Sequence, residues 1–236
     1  NRIELKYQGK LTNLNSLFSD IINLEEIDLT EMNTSEVITM EKLFYGCFSL
    51  KNVNMDLLHI SNLENINSIF EKCENLEIIN MKNFDTKNII TTKSSFENCK
   101  KLSKINIEYF DLTKVTDASN MFANCNSLTN INLKNDEIRS SQINMKSIFN
   151  GDHSLQKIDL NKFNKKTITN IEYAFNNCYS LTSINLSKFD TSKITSIYSI
   201  FSNCYKLSSI DITSFDLSNT DSFSYAFRNC ISLKSI

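Results

Sequence analysis

The sequence predicts an α/β solenoid: a right-handed superhelix of about nine 26-residue repeats, with a parallel sheet on one face and short helices on the other. Two observations predict this fold. One phenylalanine recurs every 26 residues with a single step of 27, and all seven cysteines lie three residues after one of these phenylalanines. A period of roughly 20 to 50 residues is typical of solenoids, whose units bury their apolar faces only against their neighbours. The phenylalanines are Phe18, Phe44, Phe70, Phe96, Phe122, Phe149, Phe175, Phe201 and Phe227.

The first part of each repeat predicts a short strand. Ile184 and Leu186 alternate with Asn185, and this period of two indicates a strand with one buried face. Stacked copies of the same strand predict a parallel sheet along the solenoid. The equivalent segments are 24–29, 50–55, 76–81, 102–107, 128–133, 155–160, 181–186 and 207–212.

The second part of the repeat predicts a polar turn, and the third part predicts a short helix. Asp190 and Ser192 have side chains that bond nearby backbone N–H groups and therefore favour a turn. The apolar residues of segment 194–201 have the spacing of one face of a helix of about two turns. Asn203 follows where a helix ends in the left-handed conformation, which asparagine tolerates.

Three columns of equivalent residues are predicted to form the core. The phenylalanine column should be a spine of stacked rings. The cysteines are interpreted as buried free thiols rather than a disulfide ladder or metal ligands. Their number is odd, no C-x-x-C pair occurs, and a line of single residues does not supply the four converging ligands of zinc. The third column is apolar and follows the strand: Met32, Leu58, Phe84, Phe110, Phe163, Phe189 and Phe215.

The third column occupies a position at which solenoid repeats of similar length often have a polar residue in the turn. Its turn is therefore expected to take its hydrogen bonds from the aspartates that follow. These aspartates are Asp85, Asp111, Asp190 and Asp216.

One polar column on the predicted strand is a candidate binding site. It lies between two buried positions, should face out from the sheet, and is occupied only by Asp or Asn. Two interpretations are open: an amide ladder between neighbouring strands, or a polar strip that binds a ligand, with its aspartates as anionic points. The residues beside it vary freely, as on a protein-binding surface or on any solvated surface. The column comprises Asp28, Asn54, Asn80, Asn106, Asn132, Asp159, Asn185 and Asp211.

The fifth repeat departs from the pattern and supplies a second candidate site. An insertion replaces its turn after Leu133, and an aspartate stands where the cysteine is expected. Insertions in solenoids collect on one face, often the binding face; sequence drift is the alternative. The candidate residues are Asp136, Glu137, Arg139, Asp152 and His153.

Composition argues against several functions. The 25 basic and 27 acidic residues give a net charge of −2 without long blocks of either sign, unlike a nucleic-acid or membrane-surface binder. No apolar run approaches the roughly 18 residues of a transmembrane helix, so we expect no membrane contact by this segment. His59 and His153 fall in turn regions, and no nucleophile has an evident base. We therefore expect no enzyme activity, metal or cofactor in this chain.

The amino-acid sequence of the repeat resembles that of the BspA-like leucine-rich-repeat surface proteins. The resemblance rests on the motifs LTSINLSKFDTSKIT at 181–195 and MFANCNSLT at 121–129, and it extends over essentially all of residues 1–236. The chain looks most like the variant common in mycoplasma-like and other AT-rich bacteria, with relatives in mucosal protists. The resemblance implies a right-handed leucine-rich-repeat solenoid, secreted or anchored at the cell surface, that adheres to host extracellular or cell-surface proteins. It brings no catalytic residues.

We expect residues 1–236 to form a single leucine-rich-repeat domain that is a fragment of a longer array, because both ends cut through a repeat. The predicted function is an adhesin-like, protein-binding module. Two alternatives stay open: a structural spacer that presents another domain, and the non-catalytic scaffold of an enzyme whose active site lies outside the chain. The oligomeric state is left open as well.

Overall fold

Successive coils of the chain stack as a parallel-sheet solenoid. Residues 26 apart are partners in the ladder, as Ile27 is with Val53 and Val53 with Ile79. The single 27-residue step falls between Ile131 and Ile158, which remain partners. The computed structural model describes residues 9–29, 32–56, 58–81, 84–105, 110–131, 142–160, 167–187 and 189–236.

The strands are short and pair in parallel. In chain order they are β1 (Glu26–Ile27), β2 (Asn52–Asn54), β3 (Ile78–Asn80), β4 (Lys104–Ile105), β5 (Asn130–Ile131), β6 (Gln142–Asn144), β7 (Lys157–Asp159), β8 (Thr167–Asn170) and β9 (Ser183–Asn185). Strands β1 to β4 form one sheet in sequence order, β5, β7 and β9 form another, and β6 pairs with β8. All but β6 and β8 lie within the predicted strand segments, so the parallel sheet is confirmed.

A second parallel ladder runs along another side of the coils. Single bridges join the equivalent residues Asn13, Thr39, Asn65, Thr91 and Asp117 from one coil to the next. The ladder continues into β6 and β8, which the sequence did not predict as strands. In the described residues, neighbouring coils are therefore joined by parallel ladders at two separate positions along their path.

The segment predicted to be a two-turn helix is instead a series of hydrogen-bonded turns. The N–H groups of Asn120, Phe122 and Asn124 bond to carbonyl groups of the next coil, whereas those of the residues between them bond three residues back. Asn120 and Asn124 have φ values of 55° and 62°, a left-handed conformation that does not occur inside a right-handed helix. The part of the chain that the structure describes contains no helix, so the predicted helical face is not confirmed.

The physical reason lies in the hydrogen bonds between coils. Apolar residues three and four positions apart can face a core from a chain of turns as well as from a helix. A helix of two turns is marginal by itself, and bonds to the neighbouring coil satisfy the same N–H groups. The left-handed conformation predicted for Asn203 is confirmed, with φ of 63°, although it belongs to a turn.

The predicted core columns are confirmed at most described positions; Met32 and Phe215 are only partly buried, and Phe163 lies outside the described residues. Successive rings of the phenylalanine column stack with centroids 5.3 to 5.9 Å apart. In the third column, Phe84, Phe110 and Phe189 are buried, and the rings of Phe84 and Phe110 stack at 6.5 Å. The turn after this column takes its hydrogen bonds as expected. The aspartates each accept the N–H of the residue two positions on, at 2.7 to 3.2 Å: Asp85, Asp111, Asp190 and Asp216.

The cysteines are buried free thiols, as predicted. All seven are free, and six are fully buried. Each thiol donates a hydrogen bond to the carbonyl of the core phenylalanine in the preceding coil, as Cys99 does to Phe70 and Cys204 to Phe175, both at 3.1 Å. Burial raises the pKa of Cys47 to about 11. The column therefore supplies neutral donors that join one coil to the next.

Candidate functional site

The candidate strand-face column lies on the outer surface of the first ladder. Its described members Asp28, Asn54, Asn80, Asn185 and Asp211 are exposed. Asn54 is the register partner of Asn80, and Asn185 is bridged to Asp211. Neighbouring members are thus separated by one strand spacing, about 4.8 Å. The remaining members lie outside the described residues, or have a side chain that does: Asn106, Asn132 and Asp159.

The side chains of this column are held in place by their own strand ends. The Oδ1 atoms of Asn54 and Asn185 each accept the backbone N–H two residues further on, at 3.0 Å. Asp211 Oδ1 accepts both the N–H and the hydroxyl of Thr213, at 2.9 and 2.6 Å. These bonds, the hydroxyl one first, lower the pKa of Asp211. At Asn54, Asn185 and Asp211 the column therefore has oriented polar groups, and the fixed amides of Asn54 and Asn185 each present an Nδ2 donor.

Among the described residues, an amide ladder between coils occurs on the turn segments. Asn203 Nδ2 donates to Asn177 Oδ1 at 2.7 Å, and Asn229 repeats the contact with Asn203 at 2.7 Å. Asn124 donates to Asn98 in the same way at 3.1 Å. The ladder could have been predicted from the sequence, because each of these asparagines follows the column phenylalanine by two positions.

The strand face changes its chemistry from coil to coil beside this row. The register partners Glu26, Asn52, Ile78 and Lys104 occupy one outward position, whereas the inward partners Ile27, Val53, Ile79 and Ile105 are all aliphatic. The same outward position continues as Asn130, Lys157 and Ser183. The surface is therefore regular in geometry and variable in charge and polarity.

The irregular repeat does not form a surface site around Asp152. This carboxyl group is fully buried, and its Oδ1 accepts the N–H of Cys125 at 2.8 Å. Its Oδ2 has no hydrogen-bond partner among the described residues. Burial raises the pKa of Asp152 well above its usual value. Asp152 thus occupies the core position of the cysteine that it replaces, while Asp136, Glu137 and Arg139 lie outside the described residues.

His153 is partly exposed and belongs to a row of aromatic rings. Its ring stacks on Tyr179 with centroids 4.3 Å apart, and Tyr179 stacks on Tyr205 at 4.9 Å. A second row on the turn segments brings Tyr173 and Tyr198 to 5.1 Å. Sequence analysis did not identify either row. The first row could have been predicted, because tyrosines occupy equivalent positions of successive repeats, as Tyr179 and Tyr205 do.

Metal-binding groups and membrane-spanning helices were both sought among the described residues. Within them, no group of three or more His, Cys, Asp or Glu side chains could hold a metal ion. No helix in that part of the chain is long and apolar enough to cross a bilayer. The strongly raised pKa values belong to buried groups such as Asp152 and Cys99, which are shielded from any substrate.

Comparison with known proteins identifies a family and a set of bacterial structures. The family model described as "Mycoplasma protein of unknown function, DUF285" matches residues 12–135, 49–158 and 143–236. No curated protein matches the chain. The family match is consistent with the predicted resemblance to BspA-like leucine-rich-repeat proteins, which is confirmed.

Several solved structures that resemble the chain are bacterial leucine-rich-repeat proteins. A leucine-rich-repeat protein of T. pallidum is 21% identical, with 84% of this chain and 72% of that chain covered and a TM-score of 0.47. One from Eubacterium ventriosum is 18% identical, with 92% and 67% covered and a TM-score of 0.42. A leucine-rich cell surface protein of Faecalibacterium prausnitzii is 16% identical, with 100% and 85% covered and a TM-score of 0.31.

Proposed function

Because the chain belongs to the family described as "Mycoplasma protein of unknown function, DUF285", we propose that it is a non-catalytic protein-binding module whose ligand lies on the strand face. One observation carries this proposal. The inward positions of the strands stay aliphatic from coil to coil, whereas the outward partners pass through Glu26, Asn52, Ile78 and Lys104. Regular, rigid geometry with changing surface chemistry is what a specific protein-binding surface needs.

The strand face is also suited to binding because its polar groups are fixed before a ligand arrives. Asn54, Asn185 and Asp211 have oxygens bonded to their own backbone. Ordering of flexible side chains is one of the costs of association, so preorganised groups favour affinity. We propose an extracellular or cell-surface location and a host protein as ligand, on the strength of the sequence resemblance to BspA-like surface proteins.

Charge reversal on the strand face tests this proposal. The triple variant Glu26→Lys, Lys104→Glu, Lys157→Glu changes three exposed strand-face residues. It should weaken binding to purified extracellular-matrix and cell-surface proteins, immobilised as a panel, by about tenfold or more. Unchanged binding would contradict the proposal.

A matched control carries the same charge changes away from the strand face. The variant Glu64→Lys, Lys93→Glu, Lys114→Glu also changes exposed residues, and it should bind as the wild type does. If the wild type binds no member of the panel, the spacer function is favoured instead.

A further inference from the structure

One outward position of the strand face is apolar where its neighbours are polar. Ile78 is 54% exposed, and its register partners on either side are Asn52 and Lys104. An isolated exposed isoleucine is common on protein surfaces. Ile78 differs for two reasons. It lies within a shallow depression of the sheet, and negative charges lie on one side of it while a positive charge lies on the other.

The depression spans β1, β2 and β3. Its floor is formed by the strands at Ile27 and Val53, whose side chains face the core, and its walls include Glu26, Asn54 and Ile78. The floor residues are largely covered, whereas the wall residues are exposed. Such a surface can hold an apolar side chain against Ile78 and leave the polar neighbours of that side chain at the rim.

Carboxylates dominate the surface where β1, β2 and β3 begin. Lys51 Nζ lies 2.6 Å from Glu25 Oε2. The pKa of Lys51 is raised, first by the hydrogen bond with Glu25 and then by the charges of Glu25, Glu26 and Glu77. Asp28 is exposed on the same strand face. The three carboxylates of Glu25, Glu26 and Glu77 thus act on one ammonium group, so the patch has a net negative charge.

The opposite side of Ile78 has the reverse sign. Lys104 is exposed and is the register partner of Ile78 in β4. A cationic group of a ligand would be repelled there and attracted toward Glu26 and Glu77. The charges therefore favour one orientation of an asymmetric ligand.

We propose that the depression around Ile78 binds an extended segment of a partner protein in which a lysine or arginine flanks an aliphatic side chain. This inference rests on the proposed function and names the partner of the same surface. The aliphatic side chain packs on Ile78, over the strands at Ile27 and Val53. The cationic head lies toward Glu26 and Glu77, where an ion pair with a carboxylate adds a charge-assisted hydrogen bond. Ile78 supplies the apolar anchor, and the carboxylates supply orientation and rate of association.

Selection from a random peptide library displayed on phage tests the proposal without assuming a ligand. The intact chain is immobilised, and bound peptides are sequenced and then synthesised for affinity measurement. We expect enrichment of peptides that place Lys or Arg within a few residues of Leu, Ile or Val. Ile78→Ser should weaken them by about tenfold, and Glu26→Lys with Glu77→Lys should weaken them at least as much. Raising the salt concentration should weaken wild-type binding as well.

Matched controls come from another side of the coil. Ile90 is 43% exposed and Glu64 is exposed, so Ile90→Ser and Glu64→Lys make the same chemical changes elsewhere. Both should leave peptide affinity unchanged. Circular dichroism of every variant verifies that these surface changes preserve the fold.

The outcomes separate this inference from the proposed function. Peptides that lose affinity with Asp211→Lys but not with Ile78→Ser would overturn the depression as the binding site and keep the strand face. Peptides insensitive to every strand-face substitution would overturn both. Selected peptides without enriched Lys or Arg would overturn the stated ligand. Dimerisation of the wild type that Ile78→Ser abolishes, without any selected peptide, would assign the depression to a second copy of the chain.

Discussion

Replacing Asp152 by cysteine should stabilise the protein, because it restores the residue that the core position holds in neighbouring coils. Asp152 is fully buried, and its Oδ2 has no partner among the described residues. A buried unsatisfied polar atom costs about 1–3 kcal/mol. A thiol there should donate to the carbonyl of Phe122, as Cys125 does to Phe96 at 3.1 Å. The N–H of Cys125 keeps a partner, since it also bonds to Phe122 O at 3.1 Å.

The size of this stabilisation should depend on pH. Burial raises the pKa of Asp152 in the folded protein above the value of about 3.9 in an unfolded chain. The folded state therefore binds more protons than the unfolded state above pH 4. Wild-type stability should fall as pH rises from about 4 toward the folded pKa, by up to about 1.4 kcal/mol per pH unit. Asp152→Cys should remove this dependence.

Urea unfolding followed by circular dichroism at pH 4.5, 6.0 and 7.5, under reducing conditions, measures both effects. We expect Asp152→Cys to be more stable by about 2 kcal/mol at the lowest pH, with a difference that grows as pH rises. The exposed Asp221 provides the control Asp221→Asn, which should show no such growth. A difference that is constant across the three pH values would refute a buried Asp152 with a raised pKa.

Three further predictions concern the core and its turns. Phe122→Ala should lower the free energy of unfolding by about 3–5 kcal/mol, measured by urea unfolding, because this ring stacks on both neighbours; a loss below 1 kcal/mol would contradict a close-packed spine. Gly151→Ala should lower the free energy of unfolding by about 1 kcal/mol or more, because Gly151 has φ of +81° and an added Cβ would lie 2.2 Å from Asn124 Oδ1. In a double-mutant cycle, Asn124→Gly should recover part of this loss. The thiols should resist alkylation at pH 8 in the native protein, with Cys230, which is only partly buried, reacting first by mass spectrometry; rapid labelling of Cys99 would contradict the buried column.

The repeat period allowed the core to be predicted residue by residue. Equivalent positions share one environment in a solenoid, so the burial of Phe122 or Cys99 followed from the column and needed no other information. The same logic would have placed Asp152 in the core. Its ionisable side chain suggested a functional site instead, although a buried carboxyl in a column of thiols affects local stability.

The helical face was not predictable from apolar spacing alone. Residues such as Ile197 and Phe201 have positions that suit both a helix and a chain of turns that bonds to the next coil. The conformations of Ser199 and Asn203, with φ of 52° and 63°, decide between the two. Asparagine signals this conformation in a sequence, but serine does so only weakly.

The surface was less predictable than the core because it depends on residues that differ between coils. The Asp/Asn row faces outward as expected, yet its side chains bond to their own strand ends rather than to one another at Asn54, Asn185 and Asp211. The depression at Ile78 depends on one apolar residue at an outward position that is polar in the neighbouring coils. Such a departure carries no periodic signal.

Photo-cross-linking tests most directly whether the strand face is the binding surface. A photoreactive phenylalanine analogue is placed at Asn54 or Ser183 on the strand face, and at Lys93 or Tyr205 on the turn segments, and each protein is irradiated with a bound protein ligand. All four positions are exposed. We expect cross-linked ligand from the first two positions and none from the last two. Cross-linking confined to the turn-segment positions would contradict the proposed location of the binding surface.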